Sequence, residues 1–269
     1  MNLSNKTIVI TGAANGMGRE TALLMLSKGA KVAAVDMSED ALNQLKTDAE
    51  KYKSKLSTHV VNITNKADVD KLPEEVIAIH GAVDGLINNA GIIQPFVRIN
   101  DLNFEQIERV MNVNFYGALY MLKAFLPHFL KRPEAHIVNI SSMGGFLPVP
   151  GQSIYGASKA AIKLMTEGLM AELRETNVHV SVVYPGAIGT NITQNSGVEM
   201  PSMGNMDAEK AKARTLAPSK AAEIIVNGIE ANKQRIFVGS DSKMMNFLYR
   251  MSPGFATNFI AKQMKNLLK

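Results

Sequence analysis

Near its amino end the chain reads Thr7-Ile8-Val9-Ile10-Thr11-Gly12-Ala13-Ala14-Asn15-Gly16-Met17-Gly18. The opening β-branched run is typical of a buried parallel strand. Residues 19–27 then place leucines at helical spacing, and Gly29 ends the segment. A strand, a glycine-rich turn and a helix in this order bring backbone N–H groups and a helix N-terminus to a pyrophosphate. On its own the turn is weak evidence, because an ordinary tight turn has the same composition.

The same alternation continues along the chain. Further short apolar runs lie at 32–35, 83–87, 136–140 and 178–183, and longer helix-like segments separate them. This order is typical of a doubly wound parallel α/β sheet flanked by helices. With 269 residues, no linker and no internal repeat, the chain is long enough for one large domain with a well-buried core.

A carboxylate closes the second apolar run. Asp36 follows residues 32–35, where an acidic side chain can hydrogen-bond the ribose hydroxyls of an adenosine cofactor. The same charge would repel a 2′-phosphate, and neither Met37 nor Asn15 supplies a cation for that group. The pattern therefore favours NAD over NADP. Alternatively, Asp36 merely caps the helix that starts near Ser38, and both roles can hold together.

Tyr155 and Lys159 are four residues apart in a helix-like segment. Residues at this spacing share one face of a helix, so the phenol and the ammonium point into the same space. A free tyrosine has a pKa of about 10, and a nearby cation favours the phenolate. The pair is a candidate general acid and base, and Ser142 could polarise the oxygen that exchanges the proton. Taken alone, a tyrosine and a lysine at this spacing are commonplace.

Together these motifs resemble the short-chain dehydrogenase/reductase family. The resemblance runs from residue 7 to about 190, in the family's order and spacing. It implies a single Rossmann-like domain that transfers a hydride between a nicotinamide cofactor and a carbonyl or alcohol. The matching motifs are Thr-Gly-x-x-x-Gly-x-Gly at 11–18, Asn-Asn-Ala-Gly at 88–91, Asn114, Ser142, Tyr-x-x-x-Lys at 155–159 and Pro-Gly at 185–186.

The resemblance implies a role for each catalytic residue. Tyr155 would donate a proton to the carbonyl oxygen in reduction and accept one in oxidation. Lys159 would lower the tyrosine pKa and contact the nicotinamide ribose, while Ser142 would hydrogen-bond the reacting oxygen. Asn114 would help to hold a water that links Lys159 to solvent. Ser141 and Asn112 are the competing serine and asparagine, and the spacing in the family favours Ser142 and Asn114.

The cofactor contacts come from the same resemblance, with NAD favoured and NADP less so. Asn62 departs from the family pattern, where an aspartate is usual, but an amide oxygen can still accept from the adenine amine. The implied contacts are Gly12, Asn15, Gly16, Met17, Gly18, Asp36, Asn62, Ile63, Asn89, Ala90, Gly91, Tyr155, Lys159, Pro185, Gly186, Ile188 and Thr190.

Substrate contacts are expected on both sides of the catalytic helix start and in a lid at about 191–214. The lid carries methionines at 200, 203 and 206, which suit an adaptable apolar pocket or simply fill a surface segment. No charged cluster would clamp an ionic substrate, so a lipophilic ketone or secondary alcohol is expected. The candidate substrate contacts are Ser142, Met143, Gln152 and Tyr155.

The carboxyl end predicts an amphipathic helix. The catalytic domain is expected over residues 1–252, including the lid, and the helix at 253–269 is expected to belong to the same domain. That helix could pack on another subunit, cover the pocket or lie on an anionic membrane. A homo-oligomer, dimer or tetramer, is the expected partner arrangement, and peripheral membrane contact is a minor alternative. The stripe consists of Phe255, Phe259, Ile260, Met264, Leu267 and Leu268, with lysines at 262, 265 and 269.

Composition excludes several other classes. There is no cysteine, so neither a disulfide framework nor a thiolate metal site is possible, and the five histidines show no metal-ligand spacing. The net charge of +5 comes without interleaved aromatic and basic residues, so nucleic-acid binding is not expected. The amino end lacks a signal-peptide pattern and no apolar run could span a bilayer, which favours a cytoplasmic location.

One function from a different class is compatible with the motifs. A protein of this fold could sense NAD(H) as a regulator or scaffold without turnover, since fold alone does not determine activity. Such a protein can dispense with the tyrosine or the lysine. Because Asn114, Ser142, Tyr155 and Lys159 are all present, the sequence favours an enzyme.

Overall fold

The structure is a computed structural model that describes residues 1–199 and 215–264. Seven parallel strands form one sheet in the order β3-β2-β1-β4-β5-β6-β7. The predicted doubly wound α/β fold is confirmed. The strands are β1 Thr7–Thr11, β2 Lys31–Asp36, β3 Leu56–Val60, β4 Gly85–Asn88, β5 Ala135–Ile140, β6 Val178–Pro185 and β7 Arg235–Val238.

Helices cover both faces of the sheet. A π-helical turn at Asn112–Gly117 joins α5 to α6, and short 3₁₀ turns lie at Glu50–Lys55, Ile99–Asp101 and Met143–Gly145. The α-helices are α1 Gly16–Ser27, α2 Glu39–Asp48, α3 Lys66–Val69, α4 Leu72–His80, α5 Phe104–Met111, α6 Ala118–Phe129, α7 Ser153–Glu172, α8 Ile192–Ser196, α9 Pro218–Glu230, α10 Ser240–Met251 and α11 Pro253–Gln263.

The central strand β1 explains why the apolar runs are continuous. Ile8 and Ile10 point into a core shared with Met25 of α1 and Ile225 of α9, whereas Val9 points into a second core on the opposite face. A strand buried on both faces needs apolar side chains at every position. The strand order reverses between β2 and β4, which flank β1, so a crevice opens at the carboxyl ends of these strands.

The structure differs in detail from the predicted segments. The strand expected at 83–87 begins at Gly85. The buried carboxylate of Asp84, just before it, accepts hydrogen bonds from Thr7 N at 2.9 Å and Arg132 Nε at 2.9 Å. Residues 112–117 wind as a π-helix within an otherwise α-helical segment.

The carboxy-terminal helix, expected over 253–269, ends at Gln263. Residues 265–269 and the 200–214 part of the predicted lid lie outside the described residues. Among the helices that the structure describes, none combines the length and apolar character needed to cross a membrane.

Candidate active site

A cleft of about 810 Å³ opens at the carboxyl ends of β1 and β2. Gly12 and Gly16 line it with φ angles of +61° and +53°, a left-handed conformation that disfavours side chains. The side chain of Asn15, the residue before α1, makes no capping hydrogen bond. The first-turn N–H groups of α1 therefore suit an anionic ligand. A Cβ on Gly18 would collide with the Gly12 carbonyl oxygen, so this glycine is required for close packing of the turn. The cradle fits a dinucleotide pyrophosphate.

Asp36 is held rigidly at the edge of this cleft. Its two carboxylate oxygens accept hydrogen bonds from Ala14 N and Ser38 N, both at 3.1 Å. The cap of α2 is Ser38, whose Oγ accepts from Ala41 N at 3.3 Å. Ser38 therefore caps the helix, and Asp36 ties the glycine-rich turn to the end of β2. The contact of Asp36 with a ribose stays a prediction.

The Asn-Asn-Ala-Gly turn is joined to the end of β1 by four hydrogen bonds. Thr11 Oγ1 accepts from the backbone N–H groups of Asn89 and Ala90, each at 3.0 Å. The Asn89 amide nitrogen donates to the carbonyl oxygens of Thr11 and Gly12 at 3.0 and 3.1 Å. The side chain of Asn89 consequently fixes the backbone of the cofactor cradle.

Asn114 lies in the π-helical turn with its side chain buried and fully engaged. Its Oδ1 accepts from Ile92 N at 2.8 Å, and its Nδ2 donates to Ile92 O and Ser158 Oγ, both at 2.9 Å. Ser158 Oγ donates in turn to Tyr155 O at 2.7 Å. Asn112, two residues earlier, lines the cofactor cleft instead. The π-helical turn therefore brings Asn114, and not Asn112, to the catalytic helix.

The serine, tyrosine and lysine come together where β5 ends and α7 begins. Ser142 Oγ accepts from Gly144 N at 3.0 Å and lies close enough to the Tyr155 hydroxyl to influence its pKa. The hydroxyl of Ser141 donates instead to Lys159 O at 2.8 Å and is buried, so it is not presented to a substrate. The Lys159 ammonium donates to Ile140 O at 3.0 Å and lies 6.0 Å from the centre of the Tyr155 ring.

Burial is the main influence on the two titratable groups. Burial raises the pKa of the Tyr155 phenol above its ordinary value, and the smaller influence of Ser142 lowers that pKa. Burial also lowers the pKa of Lys159 to about 8. Burial of the phenol therefore acts against the lowering of the tyrosine pKa that was expected from the lysine.

Gln94 supports the start of the helix that carries Tyr155, and no sequence pattern predicted this role. Its Oε1 accepts hydrogen bonds from Ile154 N at 2.7 Å and Tyr155 N at 3.0 Å, and its Nε2 donates to Gly151 O at 2.9 Å. The side chain is only 1% exposed. The cap of α7 therefore comes from a loop about sixty residues earlier in the chain. No local pattern in the sequence marks a glutamine with this task.

We call residues 91–94 the junction loop, because it joins three parts of the site. Ile92 is bonded to Asn114, and Gln94 caps the catalytic helix. Ile93 N donates to Ser196 Oγ of α8 at 3.0 Å, in the described part of the predicted lid. The cofactor turn, the catalytic helix and the start of the lid are therefore connected through four consecutive residues.

The predicted cofactor residues divide between the cleft and its surroundings. Most of them line it: Gly12, Asn15, Gly16, Met17, Asp36, Asn62, Ile63, Asn89, Ala90, Gly91 and Thr190. The lining also includes residues for which no cofactor contact was predicted, among them Glu105, Glu108, Arg109, Ile192 and Asn195. The amide oxygen of Asn62 accepts from Thr64 N at 3.1 Å and Thr64 Oγ1 at 2.9 Å, so it is already engaged within a turn.

Pro185 ends β6, Gly186 and Ile188 follow it, and none of the three lines the cleft. A Cβ on Gly186 would overlap the Asp241 carboxylate, whose Oδ2 accepts from Ala187 N at 2.8 Å. This glycine is therefore explained by contact with α10. Its predicted proximity to the nicotinamide stays a prediction.

The candidate substrate residues next to the catalytic serine are partly covered by protein. Met143 packs against an apolar cluster that contains Leu147, Met245 and Ala256. Gln152 is buried, and its Nε2 donates to Gln94 O at 2.8 Å. Its role towards a substrate stays a prediction. Within residues 1–199 and 215–264, no group of three histidine or acidic side chains is arranged to hold a metal.

Known proteins share both the sequence pattern and the fold. The family model described as short chain dehydrogenase matches residues 6–200. The chain is 37% identical over 194 residues to the 3-oxoacyl-(acyl-carrier-protein) reductase FabG of Thermotoga maritima, covering 72% of this chain and 78% of that protein. It is 31% identical over 271 residues to dehydrogenase/reductase SDR family member 7B of Mus musculus, covering 97% and 82%.

A solved structure of a short chain dehydrogenase/reductase from Burkholderia phymatum, in complex with NAD, superimposes with a TM-score of 0.85. The two chains are 25% identical, and the match covers 95% of this chain and 96% of that one. The family match, the parallel sheet and the grouping of Ser142, Tyr155 and Lys159 agree. The chain belongs to the short-chain dehydrogenase/reductase family of NAD(P)-dependent oxidoreductases.

Proposed function

We propose that this enzyme uses NAD(H) to interconvert a lipophilic ketone and the corresponding secondary alcohol, with Tyr155 as the proton donor and acceptor. The observation that carries the proposal is the grouping of Tyr155 with Ser142 and with the buried Lys159, whose ammonium lies 6.0 Å from the centre of the tyrosine ring. This is the arrangement needed to exchange a proton with an oxygen while a hydride moves at the adjacent carbon. The family assignment favours this enzymatic role over a regulator without turnover.

When bound, the nicotinamide cofactor supplies or accepts the hydride. The chain's own residues manage the oxygen. Because burial raises its pKa, Tyr155 is protonated at neutral pH and ready to donate to a carbonyl oxygen. Ser142 holds that oxygen in place. With a pKa of about 8, Lys159 is mainly charged at neutral pH and stabilises negative charge on the phenol after donation. These features support carbonyl reduction as the favoured direction at neutral pH.

The charges around the cleft support NAD over NADP. Three acidic residues, Asp36, Glu105 and Glu108, line its described part, against one cation, Arg109. The guanidinium of Arg109 already donates to Ser196 O at 3.1 Å. Arg19, in the first turn after the glycines, is paired with Glu20 and Asp48 and is not directed to a phosphate. A 2′-phosphate would therefore meet acidic groups without a matched cation.

The surroundings of Ser142 support a lipophilic substrate. Met143 and Phe146 lie one and four residues after it and pack, like Leu248 and Tyr249, against the cluster of Leu147, Met245 and Ala256. The ring of Phe146 lies 6.4 Å from that of Tyr249. An apolar wall of this kind favours an apolar group beside the reacting carbon. The reductase name of the Thermotoga maritima relative supports the carbonyl as a substrate class.

A homo-oligomer is proposed as well. Phe104 at the start of α5 and Leu164 on α7 expose 78% and 69% of their surfaces, and α5 packs against α7. Large apolar side chains on neighbouring helices suit burial between copies of the chain. Light scattering of the purified protein tests this assembly. The cytoplasmic location expected from the sequence stays a prediction.

The decisive experiment is a panel of ketones with NADH and NADPH, followed by the loss of reduced-cofactor absorbance. Apolar ketones should be reduced with NADH and charged analogues much less well. The matched variant Tyr155→Phe should bind NADH normally, measured by fluorescence titration, and reduce none of them at a comparable rate. Binding of NADH without reduction of any ketone or oxidation of any alcohol would overturn the proposal.

A further inference from the structure

Helices α10 and α11, which we call the carboxy-terminal pair, have two unlike faces. On the inner face, Met245 and Ala256 are buried against Leu147, and Leu248 and Ile260 pack around them. This face anchors the pair to the loop that follows the catalytic Ser142. It also accounts for only part of the apolar stripe predicted for the carboxyl end.

The outer face leaves large apolar side chains open to solvent. The rings of Phe255 and Phe259 lie 6.3 Å apart, one turn apart on α11, and neither belongs to the buried cluster. Helical spacing places the exposed side chains of α10 on one face as well. The exposed fractions are Met244 53%, Phe247 64% and Met251 72% on α10, and Phe255 59% and Phe259 36% on α11.

Cations accompany this apolar surface at helical spacing. Lys243 and Arg250 lie four residues before and three after Phe247, and Lys262 lies three residues after Phe259. All three are exposed. Residues 240–269 contain five lysines and arginines but one acid, and so carry four of the chain's five net positive charges. That acid, Asp241, is bonded to Ala187 N.

We propose that the outer face of the carboxy-terminal pair docks on an anionic lipid bilayer. Aromatic and methionine side chains would enter the headgroup boundary, and the flanking cations would meet the lipid phosphates. This inference rests on the surface and is independent of which substrate the enzyme uses.

Charge selects the bilayer over a second copy of the chain. In a two-fold dimer through this face, the same positively charged patch meets itself, so Lys243, Arg250 and Lys262 of one copy would lie against the cations of the other. Like charges brought together in this way oppose association, whereas an anionic surface attracts all of them. The exposed Leu164 on α7 differs, since the neighbouring Lys163 is paired with Glu167 at 2.9 Å.

Vesicle sedimentation with the full-length protein tests the proposal. Vesicles of phosphatidylcholine mixed with phosphatidylglycerol should carry the protein down, and pure phosphatidylcholine vesicles should not. Each cation near an anionic surface strengthens binding by about fivefold. Lys243→Glu combined with Arg250→Glu should therefore reduce binding by well over an order of magnitude, and added salt should weaken binding of the unmodified protein.

Two further variants separate the apolar contribution from general surface effects. Phe247→Ser with Phe255→Ser should weaken vesicle binding while leaving melting temperature and turnover near normal, because both side chains are exposed. Ile79→Ser, which changes an exposed apolar residue on another helix, α4, should bind vesicles like the unmodified protein. Equal binding to both vesicle types, or unchanged binding of the charge variant, overturns the proposal. A dimer in light scattering that Phe247→Ser abolishes, without vesicle binding, assigns the face to a second copy instead.

Discussion

The two halves of the sheet contribute different kinds of chemical groups to the candidate active site. Around β1 and β2 the cofactor cradle consists of backbone groups, glycines at positive φ and the single carboxylate Asp36. Around β4, β5 and α7 the catalytic half consists of buried polar side chains bonded to one another. Asn88 donates to Asn139 at 2.9 Å, and Asn139 donates to Thr166 of α7, also at 2.9 Å.

This difference predicts how each half responds to change. In the cradle, a substitution that keeps the turn open alters which cofactor binds. In the catalytic half, removing one partner leaves another polar group buried without a hydrogen bond, which costs about 1–3 kcal/mol and moves the groups that react. The following variants test whether the two halves really differ in this way.

The largest effect is expected at the reacting group. Tyr155→Phe removes the proton donor and should lower kcat by about 10² to 10⁴, the usual contribution of general acid–base catalysis. NADH affinity should stay within a few-fold, because the cradle is untouched. Tyr52→Phe, in the distant 3₁₀ turn, is the matched control and should have normal kcat. Near-normal turnover by Tyr155→Phe would falsify the assignment.

The second effect concerns position rather than chemistry. Gln94→Met keeps the size of the side chain but removes the cap on Ile154 N and Tyr155 N. Small misplacements of reacting groups cost about 10² in rate, so kcat should fall by that order with little change in NADH affinity.

Gln94→Glu keeps the two accepted hydrogen bonds and should restore part of the rate. Its added negative charge should also raise the pKa of Tyr155 further, which a pH–rate profile would detect. If Gln94→Met lowers only the melting temperature and not kcat, Gln94 is a structural cap without a role in orienting the tyrosine.

A third effect should appear in stability alone. His136 is buried on β5 and its Nε2 bonds to Ser181 Oγ at 2.7 Å, while its Nδ1 has no hydrogen-bond partner in the described structure. Burial, with smaller contributions from His179 and the chain's amino terminus, lowers its pKa to about 3. Below pH 6.5 the unfolded chain therefore binds more protons than the folded one, so the stability of the fold decreases as the pH is lowered.

From pH 6.5 to pH 5 this histidine alone should reduce the free energy of unfolding by about 2 kcal/mol, measured by urea titration. His136→Gln should lower that slope, because glutamine does not titrate. His179→Gln, on the more exposed neighbouring ring, should retain most of it. An unchanged slope in His136→Gln would refute the contribution.

The smallest effect is a change of preference in the cradle. Asp36→Ala with Met37→Arg removes a repulsion and adds a cation beside the 2′ position, where Met37 is already exposed. The ratio of kcat/KM for NADH over NADPH should fall by about tenfold or more, with kcat for NADPH close to that of the unmodified enzyme for NADH. Equal use of both cofactors by the unmodified protein would contradict the role given to Asp36.

The cradle was predictable from the sequence because its requirements are local. A strand, a left-handed turn and a helix start follow one another within residues 7–18, and each leaves a pattern in the residues themselves. The central strands were predictable for the same reason, since burial on both faces demands uninterrupted apolar runs. The edge strand β3 was not placed, because Ser57, Thr58 and His59 interrupt any such run.

The supports of the catalytic half were less predictable because they join residues far apart in the chain. The tyrosine–lysine spacing located α7, but nothing near Gln94 indicates that it caps a helix sixty residues later. The rise in the tyrosine pKa was missed for a related reason. Burial depends on everything packed around a group, whereas the sequence shows only the nearby charge.

The first turn of α10 is hydrogen-bonded to the backbone at the end of β6, where the nicotinamide contacts are predicted. Asp241 accepts from Ala187 N at 2.8 Å, and Ser242 Oγ donates to Tyr184 O at 2.8 Å. These hydrogen bonds therefore connect the surface proposed to contact lipid with the backbone that is predicted to lie next to the cofactor. Thermodynamic linkage sets a condition on this connection: any factor by which NAD(H) changes partitioning onto vesicles must equal the factor by which vesicles change NAD(H) affinity. Where that factor differs from one, the share of the enzyme bound to a membrane changes with the concentration of NAD(H).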